Sequence, residues 1–300
     1  MAAKSSAVEL SESLAGIVKA NASSVVRVEG RDHRPSSGIV WAADGTIVTA
    51  SHTVDRDEGI EVVLADGKSV PATLVGRDHG TDVAVLKADA AGLAAATWGD
   101  LSALEVGNLV MAIARPGRTA RAAAGIVSAL GEAWRTPAGG RVERYLQTDV
   151  DLQPGFSGSV LADAAGRAIG MNTSGLLRGT SLAVPAETLR RVAGALAAHG
   201  RVRRGFLGIG TYPVRLPRAL QDAAGQPAGL VVVSVQPDGP AEKAGVLLGD
   251  VVLSLDGERV VQIGDLLGLL DEERVGKEVI AKLARGGAVQ DVRVTVGARP

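Results

Sequence analysis

Ser157 stands in the stretch QTDVDLQPGFSGSVL, residues 147–161, directly after a Pro-Gly break. A Gly-Phe-Ser-Gly turn exposes the serine hydroxyl and lets neighbouring backbone N–H groups converge on one point, as an oxyanion requires in acyl transfer. A lone motif of this kind in a chain with 39 glycines is more simply an ordinary loop. Because a nucleophilic serine needs an imidazole base and a carboxylate that orients it, the interpretation depends on the other polar residues.

His52 and Asp82 lie where such partners are expected. His52 follows the predicted strand TIVTA, and Asp82 opens the predicted strand DVAVLK after the turn-like RDHGT. Taken singly, each is most simply a solvated loop residue. Together with Ser157 they give the chain order His, Asp, Ser of chymotrypsin-type triads, whereas α/β-hydrolases, esterases among them, run Ser, acid, His. His79 is nearer to Asp82 in sequence but lacks the strand-then-turn setting, so His52 is the preferred base.

The composition is that of a globular protein with no special ligand. The chain of 300 residues is long enough for two domains, and its net charge of −1 predicts no nucleic acid partner and no polybasic membrane patch. It has no cysteine, and its four histidines show no HExxH spacing, which argues against a metal site. No GxxxxGKS loop is present, so we expect neither a cofactor nor ATP dependence.

The apolar runs are also too short for a membrane span, which needs roughly 18 residues or more. The first residues, MAAKSSAVELSESL, contain one lysine and no apolar core of a signal peptide. The sequence as written therefore predicts a cytoplasmic protein.

Hydrophobic periodicity predicts the elements that must position the three residues. Residues 8–20 read as a short amphipathic helix that packs on the first barrel. From Ser24 onward, short apolar or alternating runs separated by Asp-Gly and Pro-Gly turns indicate an all-β barrel or sandwich. The helical pattern ETLRRVAGALAAHG, stopped by Gly200, closes the first domain near residue 200.

Several ordered motifs then resemble one family. The runs SSGIVWAADGTIVTASHTV, TDVAVLK, QTDVDLQPGFSGSVL, AIGMNTSG and SLAVPAETL are similar to the HtrA (Deg) family of trypsin-like serine proteases. The resemblance implies that His52 is the general base, Asp82 its orienting carboxylate and Ser157 the nucleophile, with the N–H groups of Gly155 and Ser157 as the oxyanion hole. The family usually shows Gly-Asn-Ser-Gly-Gly here, so Phe156 and Ser159 are departures that bear on the loop's resting conformation.

The resemblance also implies a substrate pocket. The run AIGMNTSGLLRGTSLAVP is similar to the strand and loop that line the primary specificity pocket, with Thr173 placed to hydrogen-bond Asp82. A small uncharged pocket for aliphatic residues is expected from six residues: Leu152, Met171, Asn172, Thr173, Ser174 and Gly175.

The segment that begins at RVRRGFLGIG resembles a single PDZ domain of the HtrA type. That resemblance implies a carboxylate-binding loop that holds peptide C-termini, formed by Phe206, Leu207, Gly208 and Ile209. The expected architecture is mainly β: a helical segment over residues 1–23, a chymotrypsin-like double β-barrel protease domain over 24–200, and a β-sandwich-like PDZ domain with two helices over 201–300.

The resemblance predicts an ATP-independent serine endopeptidase that degrades unfolded or damaged proteins. The alternative is a protease fold silenced around Phe156 and Ser159 that binds peptides or misfolded chains. Members of the family are often exported, so a periplasmic or secreted location is the alternative to the cytoplasm. A homo-oligomer is possible, but residues 1–40 contain no Phe, Tyr or Trp of the kind that commonly holds the family's trimers.

Overall fold

The computed structural model describes residues 5–32 and 34–298. The chain divides into two compact units, Met1–Val202 and Arg203–Pro300. The first unit begins with helix α1, Ser6–Asn21. Six antiparallel strands then close into the first barrel in the order β1-β2-β3-β6-β5-β4. These strands are β1 Val25–Glu29, β2 Ser36–Val40, β3 Thr46–Ala50, β4 Ile60–Val63, β5 Ser69–Asp78 and β6 Val83–Ala88.

The second barrel closes in the order β11-β14-β13-β12-β7-β8, and β9 and β10 form a separate two-stranded hairpin between β8 and β11 in the chain. Helix α2, Ala186–His199, follows and ends at Gly200, whose φ of 68° is the left-handed C-terminal stop that the sequence predicted. The strands are β7 Leu109–Ala114, β8 Arg121–Gly131, β9 Trp134–Arg135, β10 Arg141–Val142, β11 Tyr145–Thr148, β12 Val160–Asp163, β13 Ala168–Thr173 and β14 Leu182–Pro185.

Each barrel buries its own apolar interior. Val28, Ile47 and Leu86 belong to the core of the first barrel, and Leu146 and Ile169 belong to that of the second. A third cluster joins both barrels to the two helices, because strands such as β2 and β13 are buried along their whole length. Burial on both faces explains why neither strand alternates apolar with polar residues.

Helix α1 packs chiefly on β7 of the second barrel, so the expectation that it packs on the first barrel is wrong. The amide of Asn21 donates to the backbone oxygen of Gly166 at 2.9 Å, and Ile17 joins the cluster between the barrels. The periodicity of the helix identifies its apolar face but carries no information about the surface that covers that face.

The second unit is a five-stranded antiparallel sheet with a short strand at one side and a separate pair formed by β15 and β22. It contains three α-helices where the sequence predicted two. The extra helix, α3, begins after Pro217 and ends at Gly225. The elements are β15 Gly205–Phe206, β16 Ile209–Arg215, α3 Arg218–Ala224, β17 Ala228–Val235, α4 Pro240–Lys243, β18 Val251–Leu255, β19 Glu258–Arg259, α5 Ile263–Leu269, β20 Glu278–Arg285, β21 Ala288–Thr295 and β22 Gly297–Ala298.

Candidate active site

His52 and Asp82 are brought together by neighbouring strands of the first barrel. His52 lies in the 3-10 turn Ser51–Thr53 that follows β3, and Asp82 directly precedes β6. Ala50 of β3 pairs with Val83 of β6, which fixes the spacing of the two turns. Asp82 has a φ of 58°, a left-handed conformation that Asp tolerates better than most residues.

The Asp82 carboxylate holds the imidazole of His52 from one side. Its Oδ2 lies 2.8 Å from His52 Nδ1, and its Oδ1 accepts the backbone N–H of His52 at 2.8 Å. Thr173 donates its hydroxyl to the same Oδ2. Because an ionised carboxylate only accepts hydrogen bonds, the imidazole proton belongs on Nδ1 and Nε2 is left with a free lone pair. The Asp82 side chain is 6% exposed and that of His52 is 33% exposed, so the ring reaches the surface of the site.

Ser157 lies in the loop before β12, in the same site as the His–Asp pair. Gly155 and Gly158 flank it with φ values of 88° and 86°, which only glycine adopts readily. The Ser157 hydroxyl lies 3.1 Å from Ser174 Oγ and 3.4 Å from the Ser174 backbone nitrogen. Among the hydrogen bonds of the described residues, none joins Ser157 Oγ to His52. The last residue of β13, Thr173, and the residue after it, Ser174, therefore link the carboxylate to the serine.

The backbone around Ser157 presents two unused donors. Over residues 5–32 and 34–298, no protein acceptor receives the N–H groups of Gly155 and Ser157, whereas the N–H of Phe156 donates to the oxygen of Gln153 at 3.0 Å. A Cβ at Gly155 would lie 2.4 Å from Pro116 Cβ, so both the conformation and the space at this position require glycine. Two unpaired N–H groups within three residues of the chain, one of them on the serine itself, are what an oxyanion hole needs.

Phe156 and Ser159, which depart from the family pattern, are both buried away from the surface of the site. Phe156 is 1% exposed and packs in the interior of the second barrel, in the cluster that contains Leu146 and Leu161. Ser159 accepts a hydrogen bond from the Asn172 amide at 3.0 Å. The aromatic ring therefore anchors the loop to the barrel core and adds no bulk next to the serine hydroxyl.

The six residues predicted for the substrate pocket separate into two groups. Met171, Asn172 and Thr173 are fully buried on β13, so the prediction that they line a pocket is wrong. Met171 packs in the cluster between the barrels, and the side chains of Asn172 and Thr173 bond to β12 and to Asp82. Three residues keep accessible surface: half-buried Leu152 and exposed Ser174 and Gly175.

Gly175 lies directly against the His–Asp pair. A Cβ at this position would stand 2.5 Å from Asp82 Oδ2 and 2.6 Å from His52 Nδ1. The backbone N–H of Gly175 donates to the Thr173 hydroxyl, which itself donates to Asp82. Sequence reasoning missed this close approach, because glycine at the end of a strand is also the ordinary signal of a turn.

His79, the rejected candidate for the base, bonds elsewhere. Its Nδ1 lies 3.0 Å from the hydroxyl of Ser51, and its side chain is exposed. In the described part of the chain, no cluster of three or more His, Asp or Glu side chains is arranged to hold a metal ion.

Arg115 is a buried cation beside this site. Its guanidinium donates to the backbone oxygens of Ala22, Val25 and Arg118, and burial lowers the pKa of the group below its ordinary value. Ala22 directly follows α1, and cations stabilise helix C-termini. Arg115 thus ties the N-terminal helix and β1 to the end of β7.

The residues predicted to hold a peptide C-terminus lie at the connection between β15 and β16 in the second unit. Gly208 has a φ of 78°, and the backbone oxygens of Leu207 and Gly208 accept from Ala241 and Gln236. No described residue accepts the N–H groups of Leu207 and Gly208, which leaves two adjacent donors for an anion. Leu207 is buried, and Phe206 and Ile209 are half-buried. Leu266 of α5 shares the core cluster with Leu207 and Ile209.

Two family descriptions match this chain in these same regions. The Trypsin-like peptidase domain matches residues 36–171, and the PDZ domain matches residues 205–296. Two closed six-stranded barrels, followed along the chain by a PDZ domain, define the fold class of the trypsin-like serine proteases that carry a PDZ domain.

Individual relatives show to which family within this fold class the chain belongs. The HtrA-type protease AlgW, solved with a decapeptide, is 31% identical and has a TM-score of 0.76, with 95% of this chain and 98% of that one covered. The serine endoprotease from Yersinia pestis is 28% identical with a TM-score of 0.75, and both chains are fully covered. The chain belongs to the HtrA family.

Curated relatives of the family are longer than this chain. The "Probable periplasmic serine endoprotease DegP-like" of Halomonas elongata is 40% identical over 272 residues, and that of Pseudomonas savastanoi pv. phaseolicola is 38% identical over 270. Each match covers 88% of this chain and 56% of the relative, so the chain spans little more than half the length of these proteins.

No helix in the described residues is long and apolar enough to cross a membrane.

Proposed function

We propose that this chain is a serine endopeptidase that cleaves peptide bonds through an acyl-enzyme on Ser157. The observation that carries the proposal is the position of His52, whose Nδ1 is held 2.8 Å from the buried Asp82 carboxylate while no described residue bonds to its other ring nitrogen. Such an imidazole can take the proton of Ser157 and pass it to the leaving amine. The N–H groups of Gly155 and Ser157 would hold the oxyanion of the tetrahedral intermediate.

The Ser157 hydroxyl must come within hydrogen-bond reach of His52 before the first proton transfer. The hydroxyl now bonds to Ser174, and hydrogen bonds of the catalytic residues often tighten only when substrate binds. We assign Leu152, Ser174 and Gly175 to substrate contact, since they keep accessible surface beside the serine. The backbone N–H of Gly155 is assigned to the oxyanion hole. A peptide C-terminus is proposed to bind four residues of the second unit: Phe206, Leu207, Gly208 and Ile209.

Unfolded or damaged polypeptides are the proposed substrates, and cleavage is proposed to need no ATP. The names of the relatives favour a periplasmic location over the cytoplasmic one expected from the sequence, so we propose that the protein works in the periplasm. Fractionation of the producing cells tests the location. The oligomeric state stays a prediction.

Reaction with a fluorophosphonate probe tests the nucleophile, because the probe labels only an activated serine hydroxyl. We expect labelling at Ser157 in the wild type and its loss in His52→Ala. His199→Ala is the matched control, since His199 is an exposed residue in the last turn of α2. His79→Ala should also keep the label. Labelling that survives in His52→Ala but is lost in His79→Ala would move the base and contradict the assignment.

A second function is favoured by one observation. The Ser157 hydroxyl bonds to Ser174 and not to His52, as in a silenced protease fold that binds peptides without cleaving them. If folded wild-type protein is not labelled and still binds peptides that end in an aliphatic residue with a free carboxylate, this second function holds and the first fails.

A further inference from the structure

Ser37 is a polar residue in a strand that is buried throughout. It lies on β2 of the first barrel, where all five residues are buried, and it has no exposed surface. A buried hydroxyl is stable only when it is hydrogen-bonded, so its partners reveal what it holds. Two of the partners of Ser37 belong to the loop of residues 155–157, which we call the oxyanion loop.

The direction of each hydrogen bond of Ser37 is fixed by chemistry. The backbone N–H of Arg115 can only donate, and it lies 2.9 Å from Ser37 Oγ. The Ser37 hydroxyl therefore accepts there and gives its own proton to the backbone oxygen of Gly155, at 2.8 Å. The backbone N–H of Ser37 donates to the oxygen of Ser157 at 3.2 Å. One residue of the first barrel thus holds the carbonyl groups of both residues whose N–H groups face the oxyanion.

These contacts determine the orientation of the oxyanion loop. The peptide that joins Gly155 to Phe156 is held at its oxygen by Ser37 and at its N–H by Gln153. Gly155 has no side chain to fix its conformation, so without the hydroxyl of Ser37 only the bond to Gln153 restrains this peptide directly. The oxygen of Ser37 in turn accepts the hydroxyl of Thr49 at 2.7 Å, on the strand that leads into the turn of His52.

We propose that Ser37 is a positioning residue that sets the oxyanion hole of one barrel against the histidine of the other. The proposal rests on the proposed function of Ser157 and adds to it a residue that contacts neither substrate nor the reacting atoms. It predicts that loss of the hydroxyl changes the stabilisation of the tetrahedral intermediate and leaves ground-state binding unchanged.

Ser37→Ala is the test variant, and Ser24→Ala is its matched control. The Ser24 hydroxyl is also buried and donates to a backbone oxygen, that of Asn21, at 2.9 Å. Both variants therefore lose a bond that a buried hydroxyl donates to the backbone, and Ser37→Ala also loses the bond accepted from the N–H of Arg115. We expect kcat for a peptide substrate to fall roughly 10- to 100-fold in Ser37→Ala, as for a small displacement of catalytic groups, with KM unchanged. Affinity for a peptide boronate, which mimics the tetrahedral intermediate, should fall by the same factor. Ser24→Ala should keep wild-type values of kcat, KM and boronate affinity.

Amide hydrogen exchange provides a readout that does not depend on activity. The N–H groups of Arg115 and Phe156 should exchange at least 10-fold faster in Ser37→Ala than in wild type, and not in Ser24→Ala. If exchange is unchanged, or if kcat and boronate affinity stay within a factor of three of wild type in an active enzyme, the positioning role is wrong. A wild-type protein that neither reacts with the fluorophosphonate nor binds the boronate overturns the proposed function instead, and the exchange rates then decide the role of Ser37 separately.

Discussion

Replacement of Gly175 by alanine should disable the His–Asp pair without unfolding the protein. The added Cβ would lie 2.5 Å from Asp82 Oδ2 and 2.6 Å from His52 Nδ1, about 0.9 Å inside the 3.4 Å at which ordinary van der Waals contact begins. Either the Asp82 carboxylate and the His52 ring move away from the added methyl group, or the segment after β13 that contains Gly175 moves away from Ser157. The nearest neighbours of this Cβ are the catalytic groups themselves. The clash therefore cannot be relieved by the movement of a side chain that takes no part in catalysis.

A displacement of this size can be converted into a rate. A misplacement of about 1 Å in a catalytic group lowers turnover roughly 100-fold, or about 2.7 kcal/mol of barrier height. We expect a loss of that order in kcat for Gly175→Ala, measured with a fluorogenic peptide, and little change in the midpoint of thermal unfolding, because Gly175 is exposed.

Gly117→Ala is the control for the Gly175 substitution. Gly117 has no positive φ and no atom within 4 Å of an added Cβ, so alanine there should leave kcat within a factor of two or so. A kcat for Gly175→Ala within threefold of wild type would refute the reasoning, since it would mean that the segment after β13 is not fitted to the His–Asp pair.

Three further substitutions probe the supporting structure. Asp82→Asn should lower kcat about 10⁴-fold, because an amide does not hold the Nδ1 tautomer, while circular dichroism stays native since Asn also tolerates the φ of 58°. Phe156→Ala should destabilise the first unit by about 3–5 kcal/mol in urea unfolding, because the ring fills the core of the second barrel; a loss below about 1 kcal/mol would show that the ring is not packed there. Asp250→Asn should destabilise the second unit by about 1–3 kcal/mol, because Asp250 is buried and bonds to Arg285 and the N–H of Leu247. Burial alone would raise the pKa of Asp250, but the hydrogen bonds from Arg285 and Leu247 outweigh it and hold the pKa below its ordinary value. The stabilisation that the ionised Asp250 carboxylate contributes is complete above the unfolded pKa of about 3.9 and is lost as the pH falls toward the lower folded pKa. Calorimetry should therefore show that the stabilities of the wild type and the variant converge below about pH 4. A constant difference over that range would contradict the assignment.

The architecture could be predicted from sequence because the signals are local. Alternation along the run that became β5, and the Asp-Gly and Gly-Gly turns, define hairpins without knowledge of distant contacts. The family resemblance supplied the double barrel and the PDZ unit, and both are confirmed. Signals for α3 were also present: Leu216, Leu220 and Ala224 are spaced by four residues and pack in one cluster, between Pro217 and the stop at Gly225.

The predictions that the structure did not confirm depend on which element of the fold packs against each buried face. β13 is buried at all six positions, so no alternation tells which of its side chains face the barrel interior, and Met171 was wrongly given to the pocket. The bonds of Ser37 to Gly155 span 118 positions of the chain, and no local pattern announces them. The packing of α1 on β7 is the same kind of long-range fact. A single sequence specifies the elements more directly than the contacts that align a catalytic site.

Cleavage of casein in buffer without nucleotide tests the central claim most directly. The account predicts that wild-type protein cleaves casein, that Ser157→Ala does not, and that Ser69→Ala, which removes an exposed serine hydroxyl at the start of β5, cleaves as wild type does. Circular dichroism of the three proteins should be the same. Casein cleavage by purified Ser157→Ala at the wild-type rate, or no cleavage by a folded wild-type protein, would contradict the account.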